Sequence, residues 1–150
     1  MRLSVAVAVL VALVVTGCGG DTSDAAGTLD AFVSAYNSDD LEGVMALFAE
    51  DSHMVAHPVN AFAVGASEIR RAFSEDVGQG LSVTISNVKV EDFPADEAAG
   101  VEAYSAVRWE QTWKTVVNGE AKEVCRSGPN LATISEGTIY RLNWTRIDCQ

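Results

Sequence analysis

Apolar residues recur along this chain with two different periods, and the point where the period changes divides it. Leu29, Phe32, Val33 and Tyr36 fall at i, i+3, i+4 and i+7, the single apolar stripe of a helix. Asn37-Ser38-Asp39-Asp40 ends that stripe and offers N-cap side chains for a second helix, in which Leu41, Val44, Met45 and Phe48 repeat the spacing. Ser52 to His57 reads as a brief strand ended by Pro58. A third helix follows Gly65, with Ile69, Ala72, Phe73 and Val77 inward and Glu68 in its first turn, where the helix dipole favours an anion. Gly78 and Gly80 stop it.

From Leu81 the period is two. Leu81, Val83 and Ile85 alternate with Ser82, Thr84 and Ser86, and Val88 and Val90 continue out of phase, which predicts a β-bulge near Ser86-Asn87. In the next strand Val101, Ala103, Val107, Trp109 and Trp113 share one face, and Glu102, Arg108, Glu110 and Lys114 share the other. Asn118-Gly119 marks a two-residue hairpin turn of type I′. Ala121 to Arg126 and Leu131 to Ile134 read as a strand interrupted by Ser127-Gly128-Pro129-Asn130. Glu136-Gly137 makes the last turn, and Thr138 to Cys149 is the final strand. Helix-helix-strand-helix followed by antiparallel strands is an α+β order, with three N-terminal helices packed on one face of a bent sheet.

The N-terminus carries a different signal. Arg2 is followed by an uncharged run from Leu3 to Val15, about 13 residues that as a helix would span ~20 Å. A bilayer core of ~30 Å asks for about 20 apolar residues, so the run has the length of a signal-peptide core. Val15-Thr16-Gly17-Cys18 follows at once and resembles the bacterial lipobox, in which small residues precede a cysteine that is acylated and becomes the new N-terminus. An ordinary secretory signal with a chance cysteine is the alternative. Gly19 to Gly27 is small, polar and glycine-bearing, the composition of a flexible tether. The expected organisation is a signal peptide over 1–17, a lipidated cysteine and tether over 18–27, and one domain over 28–150. The expected location is the extracytoplasmic face of a cell membrane, held by lipid such as palmitate.

Processing removes Arg2 and takes the formal net charge from −11 to −12. A domain of that sign is repelled by phosphate backbones and anionic headgroups, which excludes nucleic acid as a partner. Attachment then falls to the acyl chains, whose burial contributes ~0.8 kcal/mol per CH₂. With Cys18 assigned to lipid, Cys125 and Cys149 remain. In an exported domain they can pair in one way, and a hairpin centred near Gly137 sets them opposite each other; two buried free thiols are the alternative.

The element order and the words themselves resemble the nuclear-transport-factor-2-like superfamily, and within it the SnoaL-like and ketosteroid-isomerase group. The resemblance rests on Phe32-Val-Ser-Ala-Tyr-Asn-Ser-Asp-Asp-Leu-Glu-Gly-Val-Met-Ala-Leu-Phe-Ala-Glu-Asp51, on Gly65-Ala-Ser-Glu-Ile-Arg70 and on Ser135-Glu-Gly-Thr-Ile-Tyr-Arg141. It implies a cone-shaped α+β barrel in which helices and a curved sheet enclose an apolar pocket, and dimerisation through the sheet. Ketosteroid isomerases carry Asp-Pro-Val on the first strand, the aspartate being the general base; here His57-Pro58-Val59 stands in its place, allowing one inserted residue. An imidazole with an unperturbed pKa near ~6.5 serves as a base at neutral pH. Phe32 occupies the position of the oxyanion-hole tyrosine, and no acid stands near Pro129-Asn130, where the protonated aspartate belongs. A base without an oxyanion stabiliser lacks a large catalytic contribution, so steroid isomerisation is not expected.

His57 is therefore either a pocket base or a hydrogen-bonded structural histidine. His53 and His57 lie about 13 Å apart on one strand face and cannot share an ion, so no metal is expected, and no cofactor. Tyr36, Phe62, Trp109, Trp113 and Trp144 are the residues expected to line a ligand cavity, with core packing as the alternative for each. Arg108, Glu110 and Lys114 read as a solvated or dimer-facing side of the sheet. Asn143-Trp144-Thr145 matches a glycosylation sequon, which carries no information in a bacterial lipoprotein. Three functions stay open. A tethered module binds a small apolar ligand or a partner protein without catalysis; a SnoaL-like isomerase, cyclase or hydrolase uses His57 as general base; a filled cone makes the domain purely structural.

Overall fold

A computed structural model describes residues 22–57, 61–117 and 120–145. Helix α1 spans Thr22–Asn37, so it begins inside the segment expected to be a flexible tether. Ala25 is 3% exposed and Thr28 is buried, its hydroxyl donating to the carbonyl of Asp24. These small side chains lengthen the apolar stripe by one turn toward the N-terminus, and packing overrides the glycine-rich composition. Leu29, Phe32, Val33 and Tyr36 are buried along the same face. Helix α2 is one short turn and more, Leu41–Met45, capped by Asp40, whose carboxylate accepts from the Gly43 amide at 2.9 Å. Phe48 was expected to extend it and instead opens strand β1, Phe48–His57. The Ile139 amide donates to the Leu47 carbonyl at 2.7 Å there, and this sheet pairing displaces continuation of a helix too short to persist alone.

A four-residue strand β2, Ala61–Val64, lies between β1 and helix α3, Ala66–Asp76, and was not anticipated. Gly65 joins them at φ +81°, a conformation that favours glycine. The Glu68 carboxylate accepts from the Val64 amide at 2.9 Å. Ile69 and Phe73 turn inward, while Arg70 reaches across the surface to Glu42 on α2. The hydrogen bond from Arg70, and then its charge, hold the Glu42 carboxyl below its ordinary range. That contribution is present above the unfolded carboxyl's pKa and is lost as pH falls through the folded value.

The remaining strands are β3 (Leu81–Phe93), β4 (Tyr104–Val117), β5 (Glu120–Ser135) and β6 (Thr138–Thr145). They form one sheet in the order β2-β1-β6-β5-β4-β3, curved and unclosed, with the helices packed on one face. The expected bulge is present: the β3–β4 register slips between Ser86 and Lys89, where Asn87 takes φ +53°. Val117 pairs with Glu120, the register of a two-residue connection; Asn118 and Gly119 themselves lie outside the described residues. Glu136 and Gly137 have φ +49° and +73°, as the last turn requires.

Two expectations are corrected here. The sheet is not wholly antiparallel, because β1 runs parallel to β6 from Phe48↔Ile139 to His57↔Thr145. And β5 is not interrupted. Ser127 to Asn130 are absorbed as a bulge, with Trp109 facing Asn130 and Gln111 facing Ser127. A Cβ at Gly128 would stand 2.9 Å from the Glu110 side chain, so the close strand crossing there requires glycine. Among the described residues no helix is long and apolar enough to cross a membrane.

Helices and sheet are fastened at one point by a side chain that imitates a peptide. Asn37, at the end of α1, donates to the Val83 carbonyl at 2.8 Å and accepts from the Val83 amide at 2.7 Å. This gives edge strand β3 the partner that its outer side otherwise lacks. Asn37→Ala is expected to lower stability by about 1–3 kcal/mol, two net hydrogen bonds, in urea denaturation. An unchanged midpoint would show that the clamp is ornamental.

Candidate functional site

The concave face of the sheet is built by alternation. On β4, Val107, Trp109, Gln111 and Trp113 are all buried, and on β6 Leu142 and Trp144 are. Phe32 and Tyr36 come down from α1 and Phe73 from α3. Trp144 sits at their meeting point, with ring centroids 5.0 Å from Phe32, 5.0 Å from Trp113, 5.7 Å from Tyr36 and 6.4 Å from Trp109. The pairs with Phe32 and Trp113 are edge-to-face, an arrangement aromatic quadrupoles prefer, and those with Tyr36 and Trp109 are tilted. The structure thus brings together four of the five aromatic residues singled out in the sequence, Tyr36, Trp109, Trp113 and Trp144.

Phe62 is the exception. Ala63 takes the inward position on β2 at 4% exposure, so its neighbours Phe62 and Val64 face out, Phe62 at 65%. It lies beside His53 at 6.3 Å between ring centroids and has no place in the interior cluster. An inward or outward assignment on so short a strand needs its register, which the sequence does not disclose.

Polar groups enter the interior at one level and saturate one another. The Trp109 indole N–H donates to Gln111 Oε1 at 2.9 Å, and Gln111 Nε2 donates to the Thr145 carbonyl at 2.8 Å. The Thr145 amide and hydroxyl both donate to Asn130 Oδ1, at 3.0 and 2.7 Å. Gln111 is 2% and Asn130 0% exposed, so strands β4, β5 and β6 are tied by a dry polar bridge. Nearby, the Tyr36 hydroxyl donates to Asp76 Oδ2 at 2.7 Å. The Trp144 indole N–H is buried and has no hydrogen-bond acceptor among the described residues, a state that costs roughly 1–3 kcal/mol. Gln111 and Thr145 were missed in the sequence. Gln111 shares the alternation of Trp109 and Trp113, and a polar residue at an inward position was the available signal.

Phe32 and Asn130, the positions compared in the sequence with the oxyanion hole of the isomerases, are both buried. Phe32 lacks the hydroxyl of the tyrosine it replaces and packs edge-on against Phe48 and Phe73. Asn130 stands where an acid was sought, and its carboxamide oxygen is committed to Thr145. The His57 backbone closes the β1–β6 ladder opposite Thr145; its side chain lies outside the described residues. His53 is exposed. On the outer face Arg108 pairs with Glu91 at 3.2 Å, and Glu110 accepts from Asn87 at 2.7 Å. Cys125 is buried on β5 and disulfide-bonded. Cys18 and Cys149 lie outside the described residues.

A family model described as a SnoaL-like domain matches residues 29–142. No curated protein sequence matches the chain. Among solved structures it is similar to a nuclear-transport-factor-2-like protein with a cystatin-like fold from Novosphingobium aromaticivorans. The TM-score is 0.68 at 15% identity, over 85% of this chain and 82% of that one. A protein of the same organism, provisionally named a scytalone dehydratase, gives 0.65 at 19%, over 85% and 87%. The orange carotenoid protein of Anabaena (Nostoc) sp. PCC 7120, binding canthaxanthin, gives 0.59 at 20%, over 81% of this chain and 35% of that one. At these identities the likeness is one of fold.

The polar bridge makes a direct prediction. Gln111→Leu keeps the volume but strands the Trp109 N–H and the Thr145 carbonyl, and is expected to cost about 1–3 kcal/mol for each group left unpaired. Thermal unfolding checks this. A neutral substitution would show that the two groups find other partners.

Proposed function

The chain belongs to the SnoaL-like domain family, and from that membership we propose a membrane-tethered, extracytoplasmic binding module that takes up a small apolar molecule without transforming it. The observation that carries the non-catalytic half is the mutual saturation of the interior polar groups. Gln111, Asn130, Thr145 and the Trp109 indole are committed to one another, which leaves aromatic surface and the Trp144 donor, unpaired among the described residues. Catalysis of the isomerase kind needs a preorganised donor pair aimed at developing charge, and Phe32 and Asn130 do not supply it. An apolar occupant suits such walls, and the orange carotenoid protein, similar in fold, binds canthaxanthin.

The tether is read from Val15-Thr16-Gly17-Cys18 and the apolar run before it, with cleavage ahead of Cys18 and acylation of its sulfur and new amino group. The same reading assigns self-association to the outer sheet face, where Leu131, paired with Arg108, and Tyr140 on β6 stand exposed. It also pairs Cys125 with Cys149. Cys125 is disulfide-bonded, and with Cys18 taken by lipid Cys149 is the remaining cysteine.

Native mass spectrometry of residues 21–150, produced with export, tests the binding role: a retained small mass is expected on the wild type and on His57→Ala alike. Mutually packed rings are also what a purely structural cone would contain, and a protein that stays empty in the presence of hydrophobic extract would establish that role instead. Turnover of any substrate that His57→Ala abolishes, with the fold intact, would make the protein an enzyme. Cys149→Ser is expected to lower stability by ~3–4 kcal/mol, the chain-entropy value for a loop of about 25 residues. A wild-type midpoint unmoved by reductant would refute the pairing.

A further inference from the structure

We infer that the domain stands on end over the membrane, with the start of α1 and the Glu136-Gly137 turn against the headgroups and the His57–Thr145 end turned away. This rests on the lipid-anchoring reading above and adds an orientation to it. Three residues separate Cys18 from Thr22, and the four Cα–Cα steps reach at most ~14 Å fully extended. Helix α1, with 16 residues, is ~24 Å long, so the tether is shorter than the body it carries. The first turn of α1 is also fixed to that body, since Ala25 and Thr28 are buried in it. The anchor therefore enters at one defined end and cannot range over the surface.

Contacts identify what shares that end. Gly137 lies beside Asp24 and Thr28, where an added Cβ would be 3.9 Å from side-chain oxygens of both. The Ser135 hydroxyl donates to the Ala103 carbonyl at 2.7 Å, and Asp96 bridges to Val101 in the same β3–β4 connection. At the other end α1 finishes beside Gly78, whose amide donates to Asp39 Oδ1 at 3.0 Å, and the β1–β6 ladder closes at His57↔Thr145.

Lying on its side is the competing posture, and the outer face of α1 argues against it. Its exposed positions include Asp24, Gly27, Asp30, Ala31 and Ser34, which offer no cation for anionic lipid and no large apolar side chain for the interface. At a net charge of −12 after loss of Arg2, every face is repelled by an anionic surface, the end bearing Asp24, Asp96 and Glu136 included, so the posture is set by the short tether, and contact is smallest when the body stands on the end where the tether enters.

The test uses the acylated full-length product on nanodiscs of phosphatidylethanolamine and phosphatidylglycerol carrying nitroxide-labelled headgroups, read by amide relaxation. Attenuation is expected to be severalfold stronger at Asp24, Asp96–Val101 and Glu136-Gly137 than at Asp39 and Gly78–Gly80, and Cys18→Ala should not bind the discs. Wild type that fails to bind would overturn the anchoring, and the orientation with it. Wild type that binds with uniform attenuation, or with attenuation concentrated on Asp30 and Ser34 or on the Asp39 end, would overturn the orientation alone.

Discussion

Trp144 touches aromatic rings from both layers of the molecule, Phe32 and Tyr36 on α1 and Trp109 and Trp113 on β4, and the rest of the domain is arranged so that it does. Its strand is gripped on both sides. Pairing with β1 and with β5 fixes the height of the indole, and alternation fixes its direction. Each such ring pair contributes ~0.5–1.5 kcal/mol beyond the area buried. Phe73 joins the cluster through Phe32 and Tyr36, so α3 is held by the same rings that fasten α1 to the sheet.

Dense aromatic packing constrains what else the interior holds. Every polar group admitted there needs a partner, and the chain provides them in pairs: Trp109 with Gln111, Gln111 with Thr145, Thr145 with Asn130. Groups used in this way are not free to stabilise charge on a substrate. The SnoaL-like scaffold does not dictate chemistry. Among the described residues the buried Trp144 N–H finds no acceptor, which gives this indole a standing demand for one.

Much of the fold was legible because it is written in local periods. The stripe Leu29–Phe32–Val33–Tyr36, the alternation around Trp109 and Trp113, the slip at Asn87 and the Glu136-Gly137 turn each need only neighbours in sequence to be seen. What was not legible depends on distant partners. Phe48 has the spacing of a helix residue and joins a strand because Ile139 is there to pair with its neighbour. Pro129 looked like a break, yet a bulge accommodates it within β5. Strand β2 is too short to show a period, which hid it and sent Phe62 to the wrong side. Of the site, the rings were readable and the polar bridge was not, since Gln111, Asn130 and Thr145 acquire meaning only when three strands lie side by side.

The parallel pairing of β1 with β6 also sets an order in time. Its two partners lie ~90 residues apart, so the contact that seats Trp144 is among the most non-local in the chain, and loops of that span close slowly. Until Thr138 to Thr145 have emerged, Phe32, Trp109 and Trp113 have no Trp144 to cover them, and the strands on either side of the vacant slot have open edges. A chain in which β6 has not yet docked therefore presents an unfinished apolar surface attractive to chaperones and proteases, and it becomes a domain in one step when β6 enters.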